Sequence, residues 1–130
     1  MKGVLILAHG SKRKETEERL GAVTDMLKSE LQAYGMCGEG GIAEIETAFL
    51  QFSERDLHNG LSTLAKSGAD EILVIPYFLF DGTHIKEDIP NEISAFTEQN
   101  PDVRVRLCGT LGADKRLAMI LKDRIVEASS

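Results

Sequence analysis

Residues 3–8, Gly3-Val4-Leu5-Ile6-Leu7-Ala8, are apolar without a break, and the segment Lys14–Tyr34 that follows carries Leu20, Val23, Leu27 and Leu31 at spacings of three and four. A strand apolar at both odd and even positions is one covered on both faces, as in a parallel sheet. The three-and-four spacing marks one face of a helix. This strand-then-helix alternation continues outward along the chain. Ile42–Leu50 is a second strand of mixed polarity, suited to a less buried place in the sheet. Ser53 is expected to cap a helix running to Ser67, with Leu57, Leu61 and Leu64 inward and Gly68 as its stop. Glu71–Phe78 is the most apolar strand, with Pro76 implying irregularity near its end. The loop Leu79–Thr83 leads to a helix over Ile85–Gln99, whose first turn Pro90 should separate or kink. Val103–Cys108 gives a fourth strand and Ala113–Ala128 a last helix. The expected fold is α/β: a single domain over residues 1–130, a four-stranded parallel sheet with helices on both faces. Its simplest strand order is 2-1-3-4.

Composition bounds the function. The chain has 130 residues, 15 basic and 21 acidic, for a net charge of −6. That balance argues against non-specific nucleic-acid binding, which needs an electropositive surface. The apolar run after Lys2 is about five residues, short of a signal core, and no stretch approaches the roughly 20 apolar residues of a membrane span. Cys37 and Cys108 stand far apart without metal-type spacing, as reduced thiols of a cytoplasmic protein would.

In open parallel sheets, ligands bind beyond the carboxyl ends of the strands, where the winding reverses. Order 2-1-3-4 puts that point between the first and third strands. His9 directly follows the first strand, and His84 stands six residues past Phe78. Both therefore fall at the mouth of one crevice, although 75 positions separate them. One histidine at a strand end reads as structural. Two that converge can hold a late first-row divalent metal or move protons, because neutral imidazole is a metal ligand whose pKa of about 6.5 makes it a usable base at pH 7. His58 reads as a surface residue on a helix.

The turn Ser11-Lys12-Arg13-Lys14 offers cations and backbone N–H groups to an anion; a solvated basic turn is the alternative. Leu79 and Phe80 can floor a pocket for a flat ligand, whereas Phe78 reads as core. Glu46, on the second strand, can relay protons or assist a metal, with simple solvation as the alternative. Glu54, at the start of the next helix, is a candidate rim contact. The chain contains no phosphate-binding G-x-x-x-x-G-K-[ST] loop, no H-E-x-x-H and no paired C-x-x-C.

Four blocks of sequence then resemble one family. Leu7-Ala8-His9-Gly10-Ser11, Glu46-Thr47-Ala48-Phe49-Leu50, Gly82-Thr83-His84-Ile85-Lys86-Glu87-Asp88-Ile89-Pro90 and Leu111-Gly112-Ala113-Asp114 are similar to the short CbiX-type sirohydrochlorin chelatases. The resemblance covers nearly the whole chain. It implies ATP-independent insertion of a divalent metal, cobalt favoured and iron or nickel open, into a sirohydrochlorin-type tetrapyrrole. It implies that His9 and His84 bind the metal, with His9 also the proton acceptor. It further implies that Glu54, Leu79, Phe80, Asp81, Gly82 and Thr83 contact the tetrapyrrole. Glu46 occupies a place where relatives often carry an acid, whereas Gln51 stands where many carry a second one. No cofactor is implied beyond the metal substrate. The family's longer members hold two such domains, so this length implies half of a chelatase and a homodimer. No nucleic-acid or membrane partner is expected.

Overall fold

The computed structural model describes residues 1–38 and 40–129, with the side chains of His84 and Ile85 outside the description. Along the chain come β1 (Lys2–Ala8), α1 (Lys14–Tyr34), β2 (Ile42–Phe49), α2 (Leu57–Lys66), β3 (Glu71–Pro76), a π-helical turn (His84–Asp88), α3 (Ile89–Gln99), β4 (Arg104–Leu107) and α4 (Lys115–Ser129). The strands are parallel in the order β2-β1-β3-β4, as the alternation of apolar runs predicts. The crevice point thus lies between β1 and β3.

Central placement explains the composition of β1, whose residues 3–8 are all buried. Leu5 and Leu7 point into one cluster with Leu61 and Leu64 of α2, Ile72 and Val74 of β3, and Phe96 of α3. Val4, Ile6 and Ala8 point the other way, into a cluster with Leu20 of α1, Ile42 and Phe49. The period of two along the strand therefore feeds two cores, one on each face. Gly60 lets α2 lie close on the sheet: a Cβ there would meet Leu5 Cδ1 at 2.7 Å and Ala48 Cβ at 3.3 Å.

Three boundaries depart from the expectation. Helix α2 starts at Leu57, and its N-cap is Asp56, whose carboxylate accepts from the Asn59 N–H at 2.8 Å. Ser53 instead accepts from the Arg55 N–H. The reason is tertiary: the Phe49 N–H donates to the Arg55 carbonyl, which closes residues 50–55 into a loop before the helix can begin. Strand β3 ends at Pro76, which cannot donate to a ladder. The segment before α3 is a wider π turn, and Pro90 sits in the first turn of α3 itself.

Helix α4 differs from the other three. Leu117 alone among its described residues is even half-buried; the rest, including Ile120, Leu121 and Ile125, are exposed. Among the described residues no helix is long and apolar enough to cross a membrane.

Candidate functional site at the carboxyl edge of the sheet

The site is built from the three loops that follow β2, β1 and β3. These strands are neighbours, so their loops lie side by side at the carboxyl edge. His9 is the first residue past β1 and is exposed. Its ring lies against Phe78 with centroids 4.2 Å apart and planes tilted by 33°. Phe78 is itself 8% exposed and belongs to the core, so an anchored aromatic orients an accessible imidazole. On the other side the Leu50 N–H donates to the Ala8 carbonyl at 2.9 Å, and the Gln51 N–H donates to the His9 carbonyl at 3.1 Å. Gly10 makes this approach possible: with φ of 89°, its missing Cβ would stand 2.2 Å from the Gln51 carbonyl oxygen. His9 is thereby held through its ring on the β3 side and through its backbone on the β2 side.

His84 opens the π-helical turn on the loop after β3, adjacent in the sheet to the loop that carries His9. Its side chain lies outside the described residues, and so does the expected pairing of the two imidazoles; the backbone sets only their loops side by side. The loop ahead of it is open to solvent. Leu79 is 52% and Phe80 68% exposed, and Asp81, Gly82 and Thr83 are exposed as well. The Leu111 and Gly112 N–H groups donate to the Phe78 and Leu79 carbonyls at 2.9 and 2.7 Å, which braces the start of that loop against residues 111–112.

The acidic candidates stand further off. Glu46 pairs in register with Leu5, four residues short of His9, which is about 13 Å along the strand. Glu54 lies in the loop before α2, not in its first turn, and is exposed; its carbonyl accepts from the Asn59 side-chain amide at 2.6 Å. Glu92 of α3 has its carboxyl raised above the usual glutamate range, first by partial burial and then by the charges of Asp56 and Asp88. Asp114 is held well below the usual range by hydrogen bonds from Arg116, so that cation is already matched. Among the described residues no three His, Cys, Asp or Glu side chains converge on one metal position.

Cations gather near this edge. Lys12 and Arg13 precede α1, Lys86 sits on the π turn, and Arg55 follows β2; all are exposed. Arg55 donates to the Thr47 hydroxyl and lies over the Phe49 ring. Among the described residues no carboxylate forms an ion pair with any of these four. The opposite edge pairs its charges, with Glu71 between Lys2 and Arg104, and Asp70 against the amino terminus. A concavity of about 390 Å³ lined by Lys28, Gln32, Cys37 and Ile42 lies elsewhere, with none of these residues on the three loops. At the carboxyl edge the exposed Leu79–Thr83 loop presents a surface that suits a flat ligand.

One contributor that sequence reasoning missed is Phe52. It is 55% exposed, has a φ of 60°, and carries the Lys12 ammonium 5.5 Å from its ring centroid. Its left-handed backbone leaves no trace in the residue type.

The sequence model of the CbiX family matches residues 3–128. The chain belongs to the CbiX family. Among its CbiX relatives, the sirohydrochlorin cobaltochelatase of Sulfurisphaera tokodaii is 31% identical over 98% of this chain and 93% of its own length. The sirohydrochlorin ferrochelatase of Priestia megaterium is 30% identical over 99% of this chain but 45% of its own. The sirohydrochlorin chelatase SirB of Bacillus subtilis subspecies spizizenii, solved in complex with cobalt, superposes with a TM-score of 0.81 at 25% identity, over 97% of this chain and 50% of that one. This CbiX chain thus spans nearly the full length of the archaeal relative and about half that of the Bacillus and Priestia proteins.

Proposed function

We propose that this protein is a sirohydrochlorin cobaltochelatase-type lyase, inserting a divalent metal into a sirohydrochlorin-type tetrapyrrole for cobalamin synthesis. The observation that carries the reading is His9, exposed and held from both sides at the point where the sheet's winding reverses, in a chain matched almost end to end by a sirohydrochlorin cobaltochelatase. Cobalt is the favoured metal. Iron is the second reading, because relatives of comparable identity are named ferrochelatases, and nickel uses the same ligand chemistry.

The chemistry follows from proton balance. A divalent metal replaces two pyrrole N–H protons, so the free macrocycle and M²⁺ give the metallated macrocycle and two H⁺. His9 and His84 are assigned the metal, and His9 also takes a departing proton; neutral imidazole serves both tasks near pH 7. Two imidazoles leave coordination positions open, which allows the metal to pass on to the macrocycle. Leu79 and Phe80 are assigned the floor beneath the ring, with Asp81, Gly82, Thr83 and Glu54 at its rim. Lys12, Arg13, Arg55 and Lys86 face the peripheral carboxylates. Glu46, beyond contact distance of His9, enters only as a proton relay, so Glu46→Gln should slow turnover less than His9→Ala. The reading uses no nucleotide and no cofactor beyond the metal substrate.

A cytoplasmic homodimer completes the proposal. The apolar stripe of α4 is exposed, and an apolar groove of about 210 Å³ lined by Ala8, Leu20, Val23 and Tyr77 lies beside α1. A second copy of this chain offers one surface to the other, and two of the matched structures, both SirB chelatases, are about twice this length. The decisive experiment follows sirohydrochlorin absorbance with Co²⁺, Fe²⁺ or Ni²⁺ in the presence of purified protein. Acceleration over the spontaneous rate is expected, and its absence, with binding retained, would instead make the protein a carrier. His9→Ala and His84→Ala are each expected to abolish acceleration; full activity in either removes that residue's role.

A further inference from the structure

Phe52 has no role in the mechanism above, and folding alone does not account for it. Among the described residues it is the one non-glycine with positive φ. The left-handed region crowds the Cβ of an L-residue, and a bulky aromatic is a poor occupant of it; glycine or asparagine fits there without cost. The side chain repays little of that strain by burial, since it is 55% exposed. A residue that is strained and also exposed is more easily understood by what it presents than by what it stabilises.

What it presents is set by its neighbours. Phe52 directly follows Gln51, whose N–H is bonded to the His9 carbonyl, so its backbone is tied to the turn that carries the imidazole. Lys12, three residues after His9, places its ammonium 5.5 Å from the ring centroid. A flat apolar surface and a cation that pairs with no carboxylate among the described residues thus stand together on the β2 side of His9, opposite the Leu79–Phe80 loop on the β3 side. A macrocycle with an apolar face and ionised carboxylates at its edge needs that pairing.

We propose that Phe52 and Lys12 form a positioning platform, the ring packing on the tetrapyrrole face and the ammonium taking a peripheral carboxylate, so that the pyrrole nitrogens are registered over His9. This inference rests on the tetrapyrrole reading above. Neither residue touches the metal, so the platform belongs to binding and not to the proton transfer.

Phe52→Gly and Lys12→Met separate this from a structural role. Binding of metal-free sirohydrochlorin is measured by its absorbance, kcat and KM by metal insertion, and stability by thermal melting. Phe52→Gly should melt at or above the wild-type temperature, because glycine relieves the left-handed strain. Its KM and Kd for sirohydrochlorin should rise about tenfold while kcat at saturation stays within about threefold and the KM for Co²⁺ is unchanged. Phe52→Tyr should restore binding. Lys12→Met should raise the sirohydrochlorin KM and flatten its dependence on salt. A wild-type protein that fails to bind sirohydrochlorin overturns the tetrapyrrole reading itself. A wild type that binds, with Phe52→Gly binding equally well, overturns the platform alone. A Phe52→Gly protein that melts well below wild type, beside a Lys12→Met protein that binds normally, overturns it too.

Discussion

At the scale of single residues, the site depends on one glycine as much as on its histidine. Gly10 adopts a φ of 89° and admits the Gln51 carbonyl to a position where a Cβ would be 2.2 Å away. Gly10→Ala meets both a forbidden backbone region and a backbone oxygen that cannot swing aside. The expected loss is about 2 kcal/mol or more in denaturant unfolding, with turnover falling further as the His9 turn detaches from residues 50–51. Wild-type stability and activity in this variant would show that the turn does not hold His9. The motif around residues 7–11 is visible in sequence, but the reason for its glycine is not. The Gln51 carbonyl comes from the loop after β2, more than 40 positions away, and only the parallel register of β1 and β2 brings it near.

Among the elements, strand and helix identities follow from periodicity, because burial on two faces or on one stripe dictates residue type directly. The start of α2 does not. Ser53 and Asp56 both have cap chemistry, and the choice between them falls to a hydrogen bond from Phe49 to Arg55 that closes the intervening loop. Helix α4 poses the opposite problem: Leu117, Leu121 and Ala128 recur at helical spacing, with Ile120 and Ile125 flanking them, yet nearly all of that surface is exposed. A stripe of this kind on a stable helix implies a covering surface. Paired Leu121→Asp and Ile125→Asp substitutions are expected to convert a homodimer to monomer in sedimentation, with the monomer's α/β circular dichroism retained. A wild-type chain that sediments as a monomer would remove the dimer from the proposal.

For the whole molecule, the net charge of −6 and the polyanionic substrate are reconciled by where the charges lie. The amino edge of the sheet pairs its charges in Glu71 with Lys2 and Arg104, while exposed cations collect at the carboxyl edge. Attraction between these cations and peripheral carboxylates is a surface effect, screened over roughly 8 Å at physiological ionic strength. Raising salt from about 20 mM to about 500 mM, where the screening length falls from roughly 20 Å to below 5 Å, should therefore increase the sirohydrochlorin KM severalfold and leave kcat nearly constant. A salt-independent KM would place the recognition of the carboxylates elsewhere.

Residue type along the chain is enough to read the four apolar runs, their alternation with amphipathic segments, and hence a parallel sheet whose first strand is central. It also placed His9 at that strand's carboxyl end and His84 on the loop after the third. These are local properties, written in residue type because burial selects composition. Long-range packing sets what the three carboxyl-edge loops do to one another: that Phe78 lies against His9, that Gln51 bonds to its carbonyl, that Glu46 stands about 13 Å down the strand, and that Phe52 is held left-handed beside Lys12. Each of those depends on strand register and on contacts between residues distant in sequence, and neither quantity has a local signature.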